Sequence, residues 1–169
     1  MAGSRSDFWS AGLKMNRGTV VSLNISRGGV PKLPVQKAEL GSLGFVGDGH
    51  DDAESHGGPE RAVCIYAAEL IEALQQEGHP ISPGSAGENI TVRGVDWAEM
   101  VPGTQVTIGQ AVIQLTGYTS PCKTIRGSFV NGRFSRISQK ANPGWSRVYG
   151  RVLVGGPVNL GDGVVPVQS

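Results

Sequence analysis

The feature that most constrains this chain is a repeated pattern of short, β-branched apolar runs cut off by glycine-rich turns. Thr19, Val20, Val21, Leu23 and Ile25 form such a run, and Ser26-Arg27-Gly28-Gly29 ends it. Arg61 to Tyr66, Asn89 to Val92 and Val148 to Val154 are further runs of strand length. Thr104 to Ile108 and Ala111 to Leu115 flank Gly109-Gln110 and read as a hairpin. Gly41 to Val46 is a weaker extended segment, and Val164 to Val167 closes the chain as a strand. Gly155-Gly156-Pro157 and Gly161-Asp162-Gly163 are read as turns. The 26 glycines, roughly twice ordinary usage, and the 10 prolines fit this count of breaks. Many short strands favour a closed or nearly closed β-barrel, because closure removes exposed strand edges.

One clear helix interrupts the pattern. Between Ala67 and Gln76, Leu70, Ile71 and Leu74 recur at helical spacing, and Gly78 stands where a C-terminal cap belongs. Ser135 to Ala141, before Pro143, is read as a short helix. The expected organisation is a loose arm over residues 1–16, pinned by Phe8 and Trp9, and a single domain over 17–169.

Charge and hydropathy narrow the function classes. The net charge of +1 gives no global signal for a nucleic-acid partner. No apolar stretch has the length of a membrane span, and the N-terminus has no signal core, so a cytoplasmic protein without membrane association is expected. In a reducing compartment two cysteines do not suggest a structural disulfide. They also form no Cys-x-x-Cys pair.

Cys122 is the first chemical candidate, in Ser120-Pro121-Cys122-Lys123-Thr124-Ile125-Arg126. Nearby cations favour thiolate, the form that attacks and binds metals. The alternative is a buried cysteine acting as a small hydrophobe. Cys64, between Val63 and Ile65 in an apolar strand, reads as core. The loop Gly47 to Arg61 is the second candidate. Asp48, Asp51, Asp52 and Glu54 offer oxygens to a hard cation. Its far end, with Gly57, Gly58 and Arg61, suits an anion instead, with Arg61 at a strand start. A solvated acidic loop is the third reading. Gly84-Ser85-Ala86-Gly87-Glu88-Asn89 is a glycine-rich turn that can present backbone donors. His79 reads as a loop or capping residue, and Trp97 and Trp145 as packing. No phosphate-binding P-loop and no serine nucleophile elbow occurs.

Taken in order, these segments resemble the MOSC family, named for the C-terminal domain of molybdenum cofactor sulfurases. The likeness runs from Gly18 to about Asp162. It comprises Val46-Gly47-Asp48, Asp52, His56-Gly57-Gly58-Pro59-Glu60-Arg61-Ala62-Val63, Gly87-Glu88-Asn89-Ile90-Thr91, Gly94-Val95-Asp96, Gly103, Gly109, Ser120-Pro121-Cys122-Lys123 and Gly161-Asp162. Ala86 departs from it, standing where many relatives have Phe.

The resemblance implies a mostly β, barrel-like fold with one clear helix and a few short ones. It implies that Cys122 either binds the molybdenum of a pterin cofactor or carries sulfur as a persulfide. By the same resemblance His56, Gly57, Gly58, Arg61, Glu88, Asn89 and Lys123 line the cofactor pocket. Arg126 and Lys140 are further candidates for the pterin phosphate. The aminotransferase-like domain of the sulfurases is missing, so no pyridoxal phosphate site is expected.

The leading expectation is a molybdopterin-dependent reductase of N-hydroxylated compounds. Its electrons would come from a separate donor protein, since no flavin or iron–sulfur motif is present. The alternative is a sulfur carrier or binding module that delivers a Cys122 persulfide to a metal–sulfur centre. A cysteine hydrolase is a third reading, without a supported His partner.

Overall fold

The computed structural model of the protein describes residues 16–49 and 57–167. The expected arm over residues 1–16 therefore falls almost wholly outside the described residues, as does His56. Asn16 itself is tied down: its side chain donates to Glu99 Oε2 at 2.7 Å and accepts from the Asp96 amide at 2.7 Å.

The described residues form eleven strands and one α-helix of nine residues. They are β1 (Gly18–Ile25), β2 (Leu33–Val35), β3 (Lys37–Gly41), β4 (Gly44–Phe45), β5 (Val63–Ala67), α1 (Ala68–Gln76), β6 (Ile90–Arg93), β7 (Gln105–Ile108), β8 (Ala111–Tyr118), β9 (Val148–Val154), β10 (Gly156–Asn159) and β11 (Gly163–Val167). Hydrogen bonding runs β11-β7-β8-β9-β5-β6-β1, and β1 pairs back onto β11, so seven strands close into a barrel. The mostly β barrel expected from the sequence is the observed fold. A second small sheet, β10-β3-β4, flanks it.

Side-chain alternation sets the inside and the outside of the barrel. Along β8, Ala111, Ile113 and Leu115 are buried while the residues between them are half-buried. Val20, Leu23, Val63, Ile65, Ile90, Val92, Val106, Ile108, Ile113, Leu115, Val148 and Val164 belong to one core cluster. All five residues of β5 are buried, because both of its faces are covered. Val63 and Ile65 join the barrel core, whereas Tyr66 joins a second cluster with Ile71, Leu74, Ile81, Ile125, Phe129 and Ile137. β5 and β6 run parallel, and α1 lies in the crossover between them. Its buried residues, Ala68, Ile71 and Leu74, have the expected helical spacing.

Three local expectations are corrected. Arg61 does not begin a strand. Pro59 fixes a 3-10 turn, Pro59–Arg61, in which the Arg61 amide donates to the Gly58 carbonyl at 3.1 Å, and the strand starts at Val63. Gly155-Gly156-Pro157 is not a simple turn. Gly156 opens β10 opposite Leu40, and a Cβ on Gly155 would stand 2.4 Å from the Leu40 carbonyl oxygen, so glycine serves close strand approach there. The helix expected over Ser135 to Ala141 shrinks to a 3-10 turn, Phe134–Ile137, because Ser138 takes an extended backbone.

Candidate functional site

Tyr66 and Cys64 share the outer face of β5, opposite Val63 and Ile65. Asn89 and Thr91 on β6's approach, and Arg147 and Tyr149 around Val148 on β9, alternate outward in the same way. The outer wall of the barrel therefore carries polar side chains where β5, β6 and β9 meet. The 84–89 turn, the 120–126 segment and the loop after β1 stand over it. Together they enclose a cavity of about 860 Å³.

Cys122 lines this cavity and is half-buried. It precedes a 3-10 segment, Lys123–Ser128, and its carbonyl accepts from the Ile125 amide at 3.1 Å. Its Sγ lies 2.9 Å from Thr124 Oγ1, so a hydroxyl is in place to donate to a thiolate. Cys64 faces the same cavity but is only 5% exposed. Burial pushes its thiol up to about 12, against a smaller opposing pull from Arg147. Cys64 thus sits in the core, as its apolar strand suggests, and Cys122 is the more exposed of the two thiols.

Arg61 and Lys123 are exposed at the rim of the cavity. The Arg61 guanidinium lies 5.8 Å from the Tyr149 ring centre. Arg126 lies outside this cavity, and Lys140 borders a smaller recess beyond Pro121. Gly57 and Gly58 do not line it either; Gly58 starts the turn that presents Arg61.

Asn89 lines the cavity but spends its amide on the protein. Its Oδ1 accepts from the Cys64 amide at 3.0 Å, and its Nδ2 donates to Asp48 Oδ2 at 2.9 Å and to the Asn24 carbonyl at 3.2 Å. Asp48 is committed as well: Lys32 Nζ lies 2.7 Å from its Oδ1, and the Ser26 amide donates to the same oxygen. Asp48 is thus a buried brace, and the described residues hold no group of three or more metal-ligating side chains. The remaining carboxylates of the hard-cation reading, Asp51, Asp52 and Glu54, lie outside the described residues.

Glu88 is fully buried and does not line the cavity. Its Oε1 accepts from the Gly84 amide and the Thr91 hydroxyl, so it braces the 84–88 turn from behind. Burial pushes its carboxyl up to about 7, with the Gly84 amide pulling the other way. Its Oε2 has no partner among the described residues. The cavity thus unites Arg61, Asn89 and the adjacent pair Cys122 and Lys123 from three separate stretches of sequence, and leaves Glu88 behind its wall.

Three lining residues were not legible in the sequence: Lys32, Arg147 and Tyr149. Arg147 is 7% exposed, and burial pushes the Tyr149 hydroxyl up to about 12. An Arg two residues before a tyrosine in a strand carries no motif; only the outward alternation around Val148 marks them. His79 is the loop residue expected, accepting from the Val130 amide through Nδ1 at 3.1 Å and packing edge-on to Phe129. Trp97 packs against both core clusters. Trp145 packs on the second, under the Arg136 guanidinium.

The family model for the MOSC domain matches residues 52–165, the stretch that carries nearly all of these side chains. The chain belongs to the MOSC family. It is similar to the uncharacterized protein YflK of Bacillus subtilis, 29% identical over 163 residues, covering 88% of this chain and 73% of YflK. It also resembles the protein YiiM of Escherichia coli, 30% identical over 112 residues, covering 63% of this chain but 50% of YiiM. Among solved structures, YiiM from Geobacillus stearothermophilus superposes with a TM-score of 0.69 at 24% identity, covering 89% of this chain and 75% of that one. The YUAD protein from Bacillus subtilis gives 0.71 at 19% identity, covering 92% and 99%. At these identities the two structures speak for the MOSC fold alone. No helix among the described residues is long and apolar enough to cross a membrane.

Proposed function

We propose that this MOSC protein binds a molybdenum cofactor with Cys122 Sγ as the metal ligand, and reduces N-hydroxylated compounds. The observation that carries the proposal is a half-buried thiol, held by a hydroxyl 2.9 Å away, on the wall of a cavity of about 860 Å³. That volume lies in the range of cofactor sites. The lining also fits a phosphate-bearing pterin in charge: Arg61, Lys123 and Arg147 face one lining carboxylate, Glu60, while Lys32 is paired with Asp48. A soft thiolate is a suitable ligand for the metal.

When bound, the cofactor supplies two-electron reduction at its metal. The chain's own residues do the rest. Thr124 Oγ1 steadies the Cys122 sulfur. Lys123 and Arg61 offset negative charge at the rim, and the Arg61 fork suits a phosphate oxygen pair. Pro121, without an amide hydrogen, keeps the approach to Cys122 stiff. Cys64 does not compete as a ligand, because its buried thiol keeps its proton at neutral pH. Electrons come from a separate donor protein, and the substrate is a small molecule.

The test is metal and pterin analysis of the chain made in a cofactor-competent host, beside Cys122→Ser and Cys64→Ala. Stoichiometric molybdenum in the parent and in Cys64→Ala, lost in Cys122→Ser, is expected. A cyanide-labile sulfur on Cys122 without metal would replace this reading by that of a sulfur carrier. Native alkylation at neutral pH is expected to label Cys122 and spare Cys64.

A further inference from the structure

Basic and acidic residues are not mixed evenly along this chain. Between Glu99 and Asp162 stand seven basic residues and no acidic one, whereas the rest of the chain has eight basic against 14 acidic. Five of the seven, Lys123, Arg126, Arg133, Arg136 and Lys140, fall on or just beside the 3-10 turns Lys123–Ser128, Val130–Gly132 and Phe134–Ile137. Ile125, Phe129 and Ile137 anchor these turns in the second core cluster. Lys123, Arg126, Arg133 and Lys140 are exposed. Asn131 and Gly132, at φ 55° and 66°, fold the chain back on itself. A Cβ on Gly132 would stand 3.6 Å from Arg126 Cβ, and Arg133 is the next residue.

Among the described residues, none of these four exposed cations has an ion pair. The carboxylates that border the turns are spent elsewhere. Glu77 accepts both donors of the Arg136 fork, whose guanidinium stacks 3.9 Å over the Trp145 ring. Glu60 pairs with Arg151 at 3.2 Å. Like charges gathered without counter-charges repel one another, and an anionic partner relieves that repulsion. The basic face also adjoins the Cys122 cavity. Lys123 lines that cavity and Lys140 lines the smaller recess, and the two share Tyr118, Ser120 and Pro121 as a common wall. Tyr118 and Val130 are exposed, so apolar contact is available among the charges, as protein interfaces require.

We infer that this face docks a small acidic electron-transfer protein, whose carboxylates meet Lys123, Arg126, Arg133 and Lys140 beside the mouth of the cavity. Opposed charges of this kind steer association and fix the orientation of the partner. A compact partner fits better than a long polyanion, because a nucleic acid running past the face meets a molecule whose remainder is acidic. The docking stands on the distribution of charge, while the partner's role as donor rests on the reading of Cys122 as the molybdenum ligand. In that role each turnover takes two electrons from the partner's flavin or iron–sulfur centre, which is oxidised, and two protons from solvent. The N-hydroxylated compound leaves as amine and water.

Calorimetric titration of the purified full chain, without any cofactor, tests this with two strongly acidic probes, a two-iron ferredoxin and a flavodoxin. At about 20 mM salt at least one is expected to bind one to one, at least about tenfold more tightly than at about 200 mM. Arg126→Glu combined with Arg133→Glu reverses two exposed charges outside the cavity, and is expected to weaken binding at least about tenfold at low salt. Lys37→Glu, exposed on β3 of the flanking sheet, is expected to change it less than about threefold. In protein loaded with molybdenum, the double variant is expected to keep turnover driven by reduced methyl viologen and to lose turnover driven by a limiting protein donor. Failure of both probes to bind the parent at low salt overturns the inference, as does equal loss of binding in Lys37→Glu and the double variant. So does tighter binding of a short RNA or of phosphatidylserine vesicles that the double variant abolishes, which gives the face to a nucleic acid or a membrane. Binding of a probe to a chain that never takes up molybdenum keeps the docking face and removes the reductase.

Discussion

Glu88 shows how one buried group ties stability to pH. Its carboxyl is raised from 4.5 to about 7, burial being the largest cause. The folded chain therefore holds this proton more tightly than the unfolded chain does. The stabilisation is fully present below pH 4.5 and is lost as pH rises through about 7. A rise of that size corresponds to about 3 kcal/mol. Glu88→Gln, which carries no charge, is expected to flatten the pH dependence of unfolding between pH 5 and 7.5, and to leave the chain at least as stable at pH 8. Urea unfolding at a series of pH values measures it; a parent curve already flat across that window refutes the assignment. Exposed carboxylates such as Glu72 and Glu77, lowered by hydrogen bonds from Arg93 and Arg136, act in the opposite sense at more acid pH.

Among elements, the junction of β5 and β6 matters most to the site. Asn89 joins it to the loops around it, by one bond to the Cys64 amide, one to the Asn24 carbonyl and one to Asp48. Asn89→Ala leaves a buried amide, a buried carbonyl and a carboxylate oxygen short of partners at once. The expected cost is about 2–4 kcal/mol in urea unfolding. Near-neutral behaviour of Asn89→Ala would show that water replaces the clamp. The sequence marks Gly-Glu-Asn as a unit but not the division of labour within it. Glu88 points back into the turn, and Asn89 points across to β5, because successive residues entering a strand face opposite ways.

The whole molecule is a barrel closed tightly enough to exclude side chains at particular points. Gly150 on β9 lies between β5 and β8, opposite Val63 and Leu115. A Cβ there would stand 2.3 Å from Ile113 Cγ2 and 3.3 Å from Val63 Cγ1. Gly150→Ala is therefore expected to destabilise by about 1–3 kcal/mol through overpacking, read as a lowered unfolding midpoint with an unchanged slope. A gain in stability, the usual result of Gly→Ala in unstrained backbone, would mean that the wall can give way.

The sequence by itself determined the class of fold, since many short β-branched apolar runs between glycine turns bury their apolar side chains only in a sheet that closes or is covered. It also determined the helix, whose apolar residues recur at helical spacing, and the contrast between an apolar and a basic cysteine neighbourhood. The meeting of Cys122, Arg61 and Asn89 depended on which strands pair around the barrel, and strand pairing joins residues that local pattern does not relate. The burial of Arg147 was settled the same way. In sequence it is one of 15 basic residues in a chain of net charge +1. Only its place at the entry to β9, beneath the 84–89 turn, makes it a nearly buried cation on the cavity wall.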